Sequence, residues 1–154
     1  MKIGVISDTH GLIRPAALAA LEGSDLIVHA GDVGSPDVLR ALAAVAPVVA
    51  VRGNNDKGAW AATLPATEIV HADSSLVYVL HDRNELDLGA AAGVAAVVSG
   101  HSHAPRIETK AGVLYVNPGS AGPRRFRLPV AVARMRIDGA RVTAELVILE
   151  GGGG

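Results

Sequence analysis

Lys2-Ile3-Gly4-Val5-Ile6-Ser7-Asp8-Thr9-His10 runs from apolar, partly β-branched residues straight into an acid and a histidine, and Gly11 follows. It reads as a buried strand that ends in metal-capable side chains. The pattern returns three times: residues 25–30 lead into Gly31-Asp32, 48–52 into Gly53-Asn54-Asn55-Asp56, and 94–99 into Gly100-His101-Ser102-His103. In open α/β sheets, ligand sites form in the crevice outside the carboxyl ends of strands. Four strand ends, together with His81, therefore make a candidate two-metal site.

Between these runs the chain alternates strand and helix. Residues 14–22 and 35–45 are rich in Ala and Leu and read as crossover helices, the second with Ser35 as N-cap and Pro36 at the first helical position. A third helix is expected over 84–92 (NELDLGAAA), with Gly93 as its stop. From Thr67 onward hairpins join the pattern. Strands over 68–71 and 76–80 flank a turn at 72–75, and strands over 106–109 and 113–116 flank Lys110-Ala111-Gly112. Residues 130–137 and 141–149 meet through Asp138-Gly139-Ala140, a strong hairpin signal. Mixed strand directions with outer helices point to an α/β fold of two packed sheets. One domain is expected over 1–149, without internal repeat or linker, and 150–154 is a glycine-rich tail.

At 154 residues and 49% hydrophobic, the chain has the length of one domain and can bury one core. Trp60, Tyr78, Tyr115 and Phe126 are the whole aromatic complement, so that core must be aliphatic. No stretch approaches the roughly 18 apolar residues of a membrane span. Met1-Lys2 leads directly into a strand, so a cytoplasmic protein is expected. Cysteine is absent, which leaves oxygen and nitrogen donors for any metal. Fourteen basic against fifteen acidic side chains lack the positive bias of a dedicated duplex binder, and nucleic acid is disfavoured as a partner.

Each piece has a plainer reading when taken alone. Asp8 can be a helix cap, Gly31-Asp32 ordinary turn chemistry, and Gly53-Asn54 a tight left-handed turn. Gly-His-Ser-His is more specific, because four of the six histidines fall in the constellation. Asp8 and His10 lie two apart, so an extended chain would place both on one side, as it would His101 and His103. Asp32 is the candidate bridge, since one carboxylate can hold two ions about 3.5–4 Å apart. The mixed donors suit Mn, with Fe, Zn or Ni as alternatives, better than Ca or Mg. His29 is either an outer partner of the ligands or a core histidine, and His71 is expected on a half-exposed strand. Trp60 either packs or stacks on a base or sugar, in a loop over 57–64 expected to wall the substrate with 121–128.

Asp8-x-His10, Gly31-Asp32, Gly53-Asn54-x-Asp56, His81, Gly100-His101-x-His103 and Asn117-Pro118-Gly119-Ser120 together resemble the calcineurin-like metallophosphoesterases, in particular the small YfcE-type phosphodiesterases. The resemblance implies a four-layer αββα sandwich of two mixed sheets flanked by helices. It implies one divalent ion on Asp8, His10, Asp32 and His103, and a second on Asp32, Asn54, His81 and His101. A hydroxide bridging the ions would attack phosphorus in line, with a small phosphodiester as substrate. Asn55 and Asp56 are assigned as catalytic positions, and Arg124 and Arg125 as substrate contacts. Asn55 departs from relatives that carry a proton-donating His there, which predicts a preference for low-pKa leaving groups. Asp82 after His81 departs again, where relatives usually have Gly. The rival readings are a non-catalytic scaffold like the retromer subunit, a phosphomonoesterase and a nuclease. A homodimer or homotetramer is suggested by the likeness and by the apolar C-terminal hairpin.

Overall fold

The computed structural model describes residues 1–125 and 127–150, so Phe126 and residues 151–154 of the tail expected over 150–154 lie outside the described residues, while position 150 ends the last strand. Two five-stranded mixed sheets pack face to face. The first has the order β10-β9-β1-β2-β3, from β1 (Lys2–Ile6), β2 (Leu26–His29), β3 (Val48–Ala50), β9 (Val130–Asp138) and β10 (Arg141–Glu150). The second has the order β4-β5-β6-β8-β7, from β4 (Thr67–Ala72), β5 (Ser75–Leu80), β6 (Ala96–Val98), β7 (Arg106–Lys110) and β8 (Val113–Asn117). β1, β2 and β3 run parallel, as do β5, β6 and β8, while the three hairpins expected from the sequence pair antiparallel.

Alternation along the strands sorts the side chains into layers. Ile3, Val5 and Val28 of the first sheet meet Val77, Val79, Ala96 and Val98 of the second in a wholly aliphatic inter-sheet core. Ile6, Ile27 and Val132 face the other way, toward α1 (Pro15–Leu21) and α2 (Pro36–Ala43). Both crossover helices carry Pro in their first turn, and the Ser35 hydroxyl accepts the Asp37 N–H as N-cap. A short α3 (Ala59–Ala62) sits in the stretch expected as a loop, and Trp60 packs against the helix-side core.

The expected helix over 84–92 does not form. A 3-10 turn spans Arg83–Glu85, and irregular turns follow it. The Asp87 carboxylate accepts the N–H groups of Gly89 and Ala90, giving the backbone a local partner that competes with helical bonding. With Gly89 in the middle, the remaining apolar run is too short to repay nucleation. The segment still closes the outer face of the second sheet, where Leu86, Ala91 and Val94 pack on Tyr78, Leu80 and Val97. The fourth layer is therefore turns. No helix among the described residues is long and apolar enough to cross a membrane.

The parallel strands β1 and β2 stay zipped beyond their ends. Asp8 N–H donates to Gly31 O (3.0 Å), His10 N–H to Asp32 O (2.9 Å) and Gly11 N–H to Val33 O (2.8 Å). His29, fully buried, completes the join. Its Nδ1 accepts the Gly31 N–H (3.1 Å), and its Nε2 lies 3.0 Å from Thr9 Oγ1. The Thr9 hydroxyl spends its proton on Val33 O (2.8 Å), so His29 donates from Nε2 and is neutral. Burial is the main force that lowers its pKa from 6.5 to about 3, with His81 adding repulsion. His29 is thus the outer partner that orients the loops carrying Asp8 and Asp32.

An unfolded chain takes up the His29 proton below pH 6.5, whereas the folded chain does so only near 3. Stability therefore falls as pH drops through that window, on the order of a few kcal/mol from this group. His29→Gln should lower stability by about 1–3 kcal/mol at pH 7.5, through the unpaired Gly31 N–H. It should also flatten the acid-side loss in urea unfolding between pH 6.5 and 4. An unchanged slope would show that His29 is not the group responsible.

Candidate metal centre

All seven expected donors converge at the carboxyl ends of β1, β2, β3, β5 and β6. Asp8 Oδ1 lies 3.4 Å from His103 Nε2 and 3.9 Å from both His10 Nε2 and His81 Nε2. Asp32 Oδ2 lies 3.3 Å from His81 Nε2 and 3.7 Å from His10 Nε2. Asn54 Oδ1 lies 2.9 Å from His81 Nε2 and 3.2 Å from His101 Nδ1. Two groups of donors, Asp8-His10-His103 and Asp8-Asp32-His81, each gather within 4.8 Å. Asp32 faces both halves, as a bridge requires, and so does Asp8.

The geometry corrects one premise. Asp8, His10, Asp32, His101 and His103 are not extended; their φ values of 55°, 46°, 54°, 70° and 62° are left-handed. Asp and His tolerate this region better than most residues, though such backbone costs about 1–3 kcal/mol apiece unless its surroundings enforce it. Here the turns aim neighbouring donors inward.

The surroundings that enforce it are close and polar. Asp8 Oδ2 accepts the Ser7 hydroxyl (2.7 Å) and the His101 N–H (3.0 Å), and the Ser120 hydroxyl donates to Asp8 O (3.0 Å). Asn117 donates to Gly100 O (3.0 Å) and Ser102 Oγ (3.1 Å) and accepts the Gly119 N–H (2.9 Å). A methyl at Gly100 would overlap the Ser7 hydroxyl and come 2.6 Å from Asp8 Oδ2; one at Gly53 would overlap Asp32. These two glycines exist for close approach. Ser7, Ser120 and Asn117 are buttresses that sequence reasoning left without a role, since hydroxyls and an amide carry no pattern until the loops meet.

Two of the imidazoles, His81 and His101, are oriented by hydrogen-bond partners. His81 Nδ1–H donates to Ala30 O (2.7 Å), which turns Nε2 inward. His101 turns Nδ1 toward Asn54 and leaves Nε2 3.8 Å from Asp82 Oδ2. Asn55 donates to both oxygens of Asp32, from its backbone N–H (2.9 Å) and its side-chain amide (3.0 Å). Asp56 accepts the N–H groups of Val33 (3.2 Å), Gly34 (2.9 Å) and Gly53 (2.9 Å), which locks two donor loops together. Both side chains point to positioning.

Burial works against the charge on Asp32, yet the bonds from His81 and Asn55 outweigh it and hold the carboxyl well below the usual range. Burial likewise opposes a charged His81, and the Asp32 partner raises its pKa. His103 is pushed down by burial, against the pull of Asp8 and with help from the Arg125 charge. Arg125 is exposed, while Arg124 keeps Nε and Nη2 buried and without hydrogen-bond partners. His71 is exposed on β4, away from the cluster.

The residues fit a metal on their own chemistry. Asp8 Oδ1 and His10 Nε2 are buried, lack hydrogen-bond partners and face the shared centre. Each such orphan costs about 1–3 kcal/mol unless something fills the space, and a cation is what a carboxylate and imidazoles can share.

A sequence model described as the calcineurin-like phosphoesterase superfamily domain matches residues 1–140. A "probable metallophosphoesterase" of Methanothermobacter thermautotrophicus is 37% identical over 160 residues, covering 96% of this chain and 92% of that protein. Among solved structures, a novel archaeal phosphodiesterase superposes with a TM-score of 0.79 at 22% identity, covering 96% of this chain and all of that one. Vps29 of Entamoeba histolytica complexed with zinc gives 0.74 at 22% identity, over 96% and 99% of the two chains. At such identities the structural likeness carries the fold alone, whereas the sequence match carries descent, and the chain belongs to the calcineurin-like phosphoesterase superfamily.

Proposed function

We propose that this metallophosphoesterase is a cytoplasmic phosphodiesterase that works with two divalent ions, manganese first among them. The observation that carries the reading is the paired carboxylate core: Asp8 and Asp32, both buried, each face imidazole nitrogens on either side. Asp8, His10, Asp32 and His103 would hold one ion, and Asp32, Asn54, His81 and His101 the other. Bound there, the ions supply Lewis-acid charge and an acidified water for in-line attack on phosphorus.

The protein's own groups do the rest. Asn55 clamps Asp32 at both oxygens, and Asp56 keeps the loops of Asp32 and Asn54 in register. In this reading Arg124 and Arg125 would meet the free phosphoryl oxygens, and the Arg125 charge already acts on His103. Asn55 cannot donate a proton to a departing alkoxide near neutral pH, so good leaving groups are favoured. The Asp82 carboxylate beside His101 disfavours the dianion of a monoester relative to the monoanion of a diester.

Metal-stripped protein titrated with Mn²⁺ should hydrolyse bis-p-nitrophenyl phosphate faster than p-nitrophenyl phosphate. Asp32→Asn should lose this activity by at least about 100-fold while keeping its circular-dichroism spectrum. Equal activity in the variant contradicts the bridge, and no turnover with any divalent ion favours a binding scaffold. Asn55→Ala should weaken Mn²⁺ binding about 10–100-fold by calorimetry, because a ligand loses its outer partner. Unchanged affinity would return Asn55 to a role in turnover alone.

A further inference from the structure

A cleft of 310 Å³ opens beside the metal centre and shares His101 with it. It lies between the loop after β5, the loop after β6 and strand β8, not between 57–64 and 121–128. Its wall is a built platform. The Arg83 guanidinium carbon sits over the Tyr115 ring, 4.0 Å from the centroid, and an ion pair with Glu108 holds it there. Glu108 is also held by Arg106 Nη2 at 2.8 Å. Arg83 remains 33% exposed.

The charge of this wall is already spent. Arg83 and Arg106 share Glu108, and Asp82 at the mouth is the second anion that balances them, so a second phosphate finds no unmatched charge there. Asn117 has all its amide groups engaged with Gly100, Ser102 and Gly119. What remains on offer is the exposed part of the planar Arg83 guanidinium, with the exposed polar side chains of Asn84 and Ser102 at its edge. Planar rings stack on such a face, and Arg presents it far better than Lys. The volume stands at the lower end of the roughly 300–1,000 Å³ of small-ligand pockets, enough for one ring-bearing group.

Which ester arm enters follows from the chemistry at Asn55. Attack forms a new P–O bond from water and breaks the bond to the leaving oxygen, which must gain its proton from solvent because Asn55 supplies none. The leaving arm therefore faces open water, and the cleft is left to the other arm. Resting on the phosphodiesterase reading, we propose that the Arg83–Tyr115 cleft binds the ester arm that stays on phosphorus, and that this arm carries a planar ring such as a nucleobase or an aryl group.

The test compares two diesters with one leaving group, the p-nitrophenyl ester of thymidine 5′-phosphate and methyl p-nitrophenyl phosphate, on the Mn²⁺-loaded protein. The wild type should favour the nucleoside ester by about tenfold or more in kcat/KM. Arg83→Lys keeps the charge but loses the flat face, and should bring that ratio close to one, chiefly through KM of the nucleoside ester. Tyr115→Leu should do the same by removing the support beneath the guanidinium. A wild-type ratio near one, or a ratio unchanged in both variants, overturns the cleft assignment while the phosphodiesterase reading stands. No metal-dependent turnover of either diester overturns both.

Discussion

Two aspartates share one buried space at the ends of adjacent parallel strands, and the rest of the molecule answers to that. Asp8 and Asp32 are almost wholly withdrawn from water, within 4.8 Å of His81 and of each other. Two carboxylates so placed repel and lose their hydration, a cost that in water-poor surroundings reaches several kcal/mol per ion. The fold offsets part of it with donors: Ser7 and the His101 N–H on Asp8, and Asn55 twice on Asp32. It leaves Asp8 Oδ1 without a partner. That remaining imbalance is the physical case for cations at the centre.

Holding the arrangement requires loops that regular structure could not supply. Five donor residues adopt left-handed backbone, so their turns are strained and must be braced from outside. The bracing comes from both sheets at once. His29 ties β2 to the loop after β1, Asp56 ties the loop after β3 to that after β2, and Asn117 and Ser120 reach across from β8 and its exit. The aliphatic inter-sheet core gives both sheets a common rigid base, which is why donors distant in sequence can be placed within a few ångströms.

Much of this was legible in the chain. Apolar β-branched runs ending in Asp, Asn or His marked the strands and the donors together, because buried parallel strands and strand-end ligands both leave local patterns. Hairpins at Asp73, Gly112 and Gly139 were equally local. Residues 84–92 misled because their Ala content suggests helix while the bonds from Asp87 to Gly89 and Ala90 favour turns. The left-handed φ values at Asp8 and His10 were hidden for a similar reason: neither residue needs glycine-like freedom on its face, and only the opposing loops impose it. The Arg83–Tyr115 platform was invisible, since its two residues lie 32 positions apart with no motif joining them. Trp60, the more conspicuous aromatic, packs against the helices.

The most direct measurement is anomalous diffraction from crystals of manganese-loaded protein, recorded on the high-energy side of the metal edge. The account predicts two peaks about 3.5–4 Å apart, both in contact with Asp32, one flanked by His10 and His103 and the other by Asn54, His81 and His101. A single peak, or two peaks that do not share Asp32, would contradict it.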